Sequence, residues 1–172
     1  TTTTTLQKAF AGSINPVFGK LGAFTLKQAA LLEFANRFGF QQPIDFTLPM
    51  KPSAFIITDR PYQWAELASG FNKTTTLSPL QGALIAATAV NEGKWITPRL
   101  IEKVTNGKDK IRYQLRPLHT ETLITEQTAR HLKTVMHATI VEGTGRKAFR
   151  GWQSDPVLSK LKMGGKTGGY GT

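Results

Sequence analysis

Apolar residues recur at helical intervals in three stretches of the chain. Leu26, Ala30, Phe34 and Phe38 fall on one face of a helix spanning Leu26 to Phe38. Thr25 and Gln28 form a Thr-x-x-Gln capping box at its start, and Gly39 ends it. Ser78-Pro79-Leu80-Gln81 joins a cap, a first-turn proline and a third-position Gln, which predicts a helix running through Ala89 or Val90 and stopping near Gly93. Its small residues, Gly82, Ala83, Ala86, Ala87 and Ala89, predict close packing on a neighbour. Thr125 caps a third helix, in which Ala129, Leu132, Val135, Met136, Thr139 and Ile140 share a face and Gly143-Thr144-Gly145 marks the end. A shorter helix, Leu6 to Ala11, is expected to stop at a left-handed Gly12. Thr1 to Thr5 carry no burial pattern and read as loop or frayed end.

Strand-like alternation is weaker. Trp95 to Val104 is rich in strand formers, and Asn106-Gly107 is a hairpin signal leading into Ile111-Arg112-Tyr113-Gln114. Leu158 to Gly169 reads as a strand at a sheet edge beside a cleft. Phe40 to Thr76 holds Pro43, Pro49, Pro52 and Pro61 and reads as irregular, with a short strand at Ile56 and Ile57. Trp64 and Phe71 in that region can reach a substrate, but core packing is their simpler role. Helices first and mixed strands later predict an α+β fold, a helical part packed on an antiparallel sheet.

Composition narrows the function classes. A chain of 172 residues, 40% apolar and 19% charged, suffices for one domain with a core and excludes a disordered chain. No run approaches 18 apolar residues. The net charge of +11, from 22 Lys and Arg against 11 Asp and Glu, would suit an acidic polymer, but the cations are scattered. With no RNA-binding aromatic signature, a basic surface without nucleic-acid specificity is the expected reading. There is no cysteine and no zinc-type spacing, so neither disulfide, metal nor other cofactor is expected.

The chemistry concentrates near the end, in Lys162-Met163-Gly164-Gly165-Lys166-Thr167-Gly168-Gly169-Tyr170. Four glycines leave a bare backbone that a ligand can approach, beside one cation and one hydroxyl. That suits an anion or acyl group; a flexible turn with a solvated lysine is the competing reading. A phosphate loop is excluded, because Lys160 stands where its first glycine is needed. Far upstream, Ser13-Ile14-Asn15 sits in a tight connection before Pro16, where its two polar side chains can reach one cleft or cap a helix.

Ser13-Ile14-Asn15, Ser78-Pro79-Leu80-Gln81 with its Ala-rich helix, Gly143-Thr144-Gly145 and Gly165-Lys166-Thr167-Gly168 stand in one order along nearly the whole chain. In that order the sequence resembles the penicillin-binding protein transpeptidase family of penicillin-recognising serine enzymes. The resemblance implies the D,D-transpeptidase/β-lactamase-like form of the α+β fold. It also implies acyl transfer from D-alanyl-D-alanine stem peptides, and acylation by β-lactams, through a lysine-activated serine. It implies that Ser13 shuttles protons, Asn15 holds the substrate amide, Lys166 keeps the pocket positive and bonds the Ser13 region, Thr167 binds the substrate carboxylate, and Gly168 with Gly169 gives the substrate backbone room. Stem peptides, β-lactams and cell-wall synthesis proteins are the implied partners. The implied place is the periplasmic or extracytoplasmic face of the membrane, with any anchor outside this chain.

One family element is out of place. The nucleophilic Ser-x-x-Lys should precede Ser-x-Asn, but only 12 residues precede Ser13 and none is serine. Ser159-Lys160-Leu161-Lys162 has the pattern but lies just before Lys166 and reads as chance. The expectation is therefore a single partial domain over residues 1–172, incomplete at both ends, inactive alone, with its nucleophile upstream. Gly169 and Tyr170 follow Lys-Thr-Gly where many relatives have Thr or Ser, so the substrate contact there stays open. A carboxypeptidase or β-lactamase shares the motifs, and a non-catalytic scaffold or basic polymer-binding module is the alternative of a different class.

Overall fold

The computed structural model describes residues 3–116 and 120–168. Helix α1, Leu6–Ala11, is capped by the Thr5 hydroxyl, which accepts from the Lys8 backbone N–H. Gly12 is not the left-handed stop expected: its φ is −85°, and its N–H still bonds the Lys8 carbonyl at 2.9 Å. The left-handed residue is the next one, Ser13, with φ 54°.

Helix α2, Asn15–Lys20, starts with Pro16 in its first turn and passes without a break into a π-helical turn, Leu21–Leu26. Helix α3, Lys27–Arg37, follows after a bend at Lys27, whose φ is 57°. The capping box at Thr25 is thus wrong, because Thr25 lies inside the π turn. A π turn closes on i→i+5 bonds, so the helix beyond it is rotated from the face an uninterrupted 3.6 period would give. Accordingly Ala35 is buried, whereas Leu26 and Phe34, expected inside, are exposed. Phe34 instead stacks under the Arg37 guanidinium, 4.7 Å from the ring centre.

The stretch expected to be irregular contains helix α4, Pro61–Ser69. Its signals were in the sequence, Pro61 in the first turn and Gly70 just past the end with φ 72°. Helix α4 crosses the π turn at Gly22, where a Cβ would stand 2.4 Å from the Ala68 Cβ. Trp64 serves packing, its indole N–H donating to the Thr58 carbonyl at 2.8 Å, while Phe71 is exposed. Ile56 and Ile57 are not a strand; the nearest pairing is an isolated bridge between Ala54 and Thr76.

Helix α5, Pro79–Val90, begins as expected, with the Ser78 hydroxyl accepting from the Gln81 N–H. It packs on α6, Glu126–Val141, capped by Thr125. Leu84 and Ala89 of α5 and Ala129, Ala138 and Ile140 of α6 are buried. Ala83 and Ala86 face solvent, so the close-packed stripe is narrower than the alanine pattern suggested. Of the buried polar groups, Thr88 donates to the Leu84 carbonyl and the Gln81 amide N–H to the Phe38 carbonyl, while the Gln81 Oε1 has no partner among the described residues.

Strands β1, Lys103–Thr105, and β2, Ile111–Gln114, make the expected antiparallel hairpin, with Val104 opposite Tyr113. The Asn106 side chain shapes its loop by accepting from the Lys108 and Lys110 N–H groups. Helices and an antiparallel sheet of two strands give the α+β class. Leu158 to Gly169 is a correction. Leu158–Lys160 is a 3₁₀ turn, tied down by Asp155, whose carboxylate accepts from the Val157 and Leu158 N–H groups. Those backbone bonds lower the Asp155 pKa. Beyond it the chain is extended, but it rests on α6 and pairs with no strand among the described residues. Gly169 lies outside the described residues. Among those described, no helix is long and apolar enough to cross a membrane.

Candidate active site

The site forms where the end of α1, the turn after α6 and the extended arm of residues 162–168 meet. Helix α1 packs along α6, and its exit carries Ser13. Two backbone bonds hold that exit, Ser13 N–H to the Phe10 carbonyl at 3.1 Å and Ile14 N–H to the Ala9 carbonyl at 2.9 Å. They are compatible only with the left-handed Ser13 backbone, a state that costs a non-glycine residue of order 1–3 kcal/mol.

The Gly143-Thr144-Gly145 turn closes α6 and seats the end of α1. A Cβ on Gly143 would stand 2.2 Å from the Ala11 carbonyl oxygen, so only glycine lets the two backbones come this close. The same carbonyl accepts from the Thr144 N–H at 2.9 Å and from the Thr144 hydroxyl at 3.3 Å. The Thr144 hydroxyl also bonds the Thr167 hydroxyl. One turn thereby links the ends of α1 and α6 with the arm.

Lys166 completes the cluster. Its Nζ donates to Ser13 Oγ at 2.9 Å, across 153 residues of sequence, and to the Thr167 carbonyl at 2.7 Å. The ammonium also lies 5.9 Å from the Phe10 ring centre. Burial lowers the Lys166 pKa from its usual value, because a less solvated ammonium is disfavoured. Among the described residues no carboxylate pairs with it, so its charge is available to an incoming anion.

Of the residues singled out in the sequence, Ser13, Lys166 and Thr167 therefore stand together. Asn15 opens α2 two residues past Ser13; it is exposed, and its side chain makes no hydrogen bond among the described residues. Gly165 and Gly168 have open space where a Cβ would be, whereas Gly164 packs against Met136 of α6. Ser159 is exposed on the 3₁₀ turn. The sequence reading missed the role of Thr144, although the Gly-Thr-Gly signal was noted as a helix end. It also missed that α6, through Met136 and His137, carries the arm.

Comparison with known proteins identifies the family. The penicillin binding protein transpeptidase domain family matches residues 1–170. The chain is 27% identical over 169 residues to stage V sporulation protein D of Bacillus subtilis, covering 95% of this chain and 24% of that protein. It is 26% identical to penicillin-binding protein 4 of the same organism, covering 96% and 22%. The chain thus spans about a quarter of the length of these curated relatives. The fold is similar to that of the D,D-transpeptidase domain of a peptidoglycan glycosyltransferase from Eggerthella lenta, with a TM-score of 0.80 and 24% identity over 96% of this chain and 41% of that one. It is also similar to the imipenem acyl-enzyme complex of penicillin-binding protein A from Mycobacterium tuberculosis, with a TM-score of 0.76 and 24% identity over 86% and 34%.

Proposed function

The chain belongs to the penicillin-binding protein transpeptidase domain family, and from that membership we propose that the protein containing it is a peptidoglycan D,D-transpeptidase acting through a serine acyl-enzyme. The observation that carries the reading is the 2.9 Å contact between Lys166 Nζ and Ser13 Oγ, beside the Thr167 hydroxyl. An ammonium and a hydroxyl fixed together suit a substrate that ends in a carboxylate and must have a proton delivered nearby.

The chemistry follows from the donors. Lys166 spends two N–H bonds on Ser13 Oγ and the Thr167 carbonyl, which leaves the third for the substrate carboxylate. Ser13 Oγ accepts from Lys166, so its own O–H is free to point at a reacting nitrogen. The nucleophilic serine, supplied by a segment preceding this chain, attacks the carbonyl of the penultimate D-alanine. Its proton passes by way of a Ser-x-x-Lys lysine and Ser13 to the departing D-alanine amine as the C–N bond breaks. An acceptor amine then attacks the ester carbonyl, forming the new amide C–N bond as the ester C–O bond breaks, and the proton the amine gives up goes to the serine oxygen. Asn15 holds the substrate amide, and Gly168 with Gly169 leaves room for its backbone. Acylation by β-lactams follows the same first step, as the imipenem acyl-enzyme is named for the Mycobacterium tuberculosis relative. The reaction takes place on the extracytoplasmic side, where the cell wall lies, and any membrane anchor belongs to segments outside this chain.

The test is covalent labelling with a fluorescent penicillin, read on a denaturing gel, for the full-length protein beside this 172-residue chain. Label on the full-length protein alone is expected. Label on the short chain would place the nucleophile at Ser13 or Ser159 and overturn the upstream assignment. No label on either would favour a non-catalytic scaffold.

A further inference from the structure

The arm that brings Lys166 to Ser13 is held in register against α6. Two consecutive residues of α6 do this. The His137 Nδ1 lies 2.7 Å from the Met163 carbonyl oxygen, and the Gly165 N–H donates to the Met136 carbonyl at 3.0 Å. Between them Gly164 lies flat on the helix, where its Cβ would stand 3.0 Å from the Met136 Cβ. A carbonyl only accepts, so His137 must donate from Nδ1, which fixes its tautomer. The Trp152 ring meets the His137 ring edge-on, with centroids 6.1 Å apart and planes at 83°, and so restrains its rotation.

Two bonds two residues apart on an extended segment determine both its position along the helix and its rotation. A slip of one residue would move Lys166 by roughly 3.3 Å and turn its side chain to the opposite side. The 2.9 Å contact with Ser13 would not survive that shift. Met163 and Gly165 bracket the arm immediately before Lys166, so the constraint reaches the ammonium through a single intervening Cα.

We propose that His137 is a positioning residue for the acyl-transfer site: its Nδ1–H clamps the Met163 carbonyl to α6 and thereby sets Lys166 and Thr167 against Ser13. The inference rests on the acyl-transfer reading for its catalytic consequence, but the clamp has a readout of its own. His137 touches no reacting atom, and its ring is exposed, so a purely structural role predicts little effect of its removal.

The experiment compares His137→Ala and His137→Asn in the full-length protein. An Asn side-chain amide can present an N–H near the position of Nδ1. Hydrogen exchange by mass spectrometry on peptides covering residues 162–168 reads the clamp directly. Titration of the acylation rate with a fluorescent penicillin, separating the limiting rate from the half-saturating concentration, reads the site. For His137→Ala, amide exchange over the arm is expected to rise and the limiting acylation rate to fall by about 10-fold, a loss corresponding to one misplaced hydrogen bond. His137→Asn is expected to restore both to within a few-fold. Unchanged exchange in His137→Ala, or an Asn variant that behaves as Ala does, overturns the proposal. If the parent protein takes no penicillin label, the acyl-transfer reading fails while the exchange comparison still decides the clamp.

Discussion

Ser13 and Lys166 are the residues to which the proposed reading gives the chemistry, and both are held in states that cost stability. Ser13 occupies a left-handed backbone, with φ 54°, that favours glycine. Ser13→Ala should lower penicillin acylation by at least about 100-fold through loss of the proton-relaying hydroxyl, with no gain in stability. Ser13→Gly should be equally inactive yet raise the unfolding free energy by about 1 kcal/mol by relieving the backbone. Urea denaturation of the two variants distinguishes strain from side-chain loss. Lys166 carries a pKa lowered by desolvation. Over the interval between its folded pKa and the usual 10.5 the unfolded chain binds more protons, so this residue's contribution to stability rises with pH there. Below the folded pKa the full penalty is present. Lys166→Met should therefore abolish acylation and flatten the rise in stability on the alkaline side, measured by thermal melts between neutral pH and about pH 10.

Among the elements, the Gly143-Thr144-Gly145 turn joins three parts of the site. It ends α6, seats α1 and bonds the Thr167 hydroxyl. Gly143→Ala would drive a Cβ to 2.2 Å from the Ala11 carbonyl, and it is backbone on both sides that must give. The expected cost is about 2–4 kcal/mol by denaturant titration. Acylation should fall as well, because α1 carries Ser13. Thr144→Val should be milder, about 1 kcal/mol, with Thr167 losing its hydroxyl partner. The elements also show how well sequence signals travel. Helices α5 and α6 and the hairpin were readable because their caps and turn residues act within a few positions: Ser78, Thr125 and Asn106 each bond backbone next door, whereas the Thr5 cap of α1 read as loop or frayed end. The α2–α3 connection was not readable, because a π turn is chosen by packing of Gly22 against α4, an element remote in sequence.

For the whole molecule, the +11 charge is a field rather than a site. Any binding to DNA should be independent of sequence and should weaken steeply between about 50 and 200 mM salt, as gel-shift titrations against unrelated duplexes would show. Binding that discriminates between duplexes would contradict the cell-wall assignment.

The sequence by itself determined the starts of α5 and α6, the hairpin turn, the α+β class and the identity of the chemical groups, because capping, turn geometry and the order of motifs depend on neighbours along the chain. It pointed to Ser13, Lys166 and Thr167, and through the family resemblance it implied that Lys166 bonds the Ser13 region. Only the tertiary structure gave the 2.9 Å contact between Lys166 and Ser13, brought Thr144 into the cluster, and laid the arm on α6. Those facts depend on how close two backbones can come, and that distance is set by Gly143 against Ala11 and Gly164 against Met136. A glycine in the sequence permits such an approach, but the partner that makes it appears only when the chain has folded.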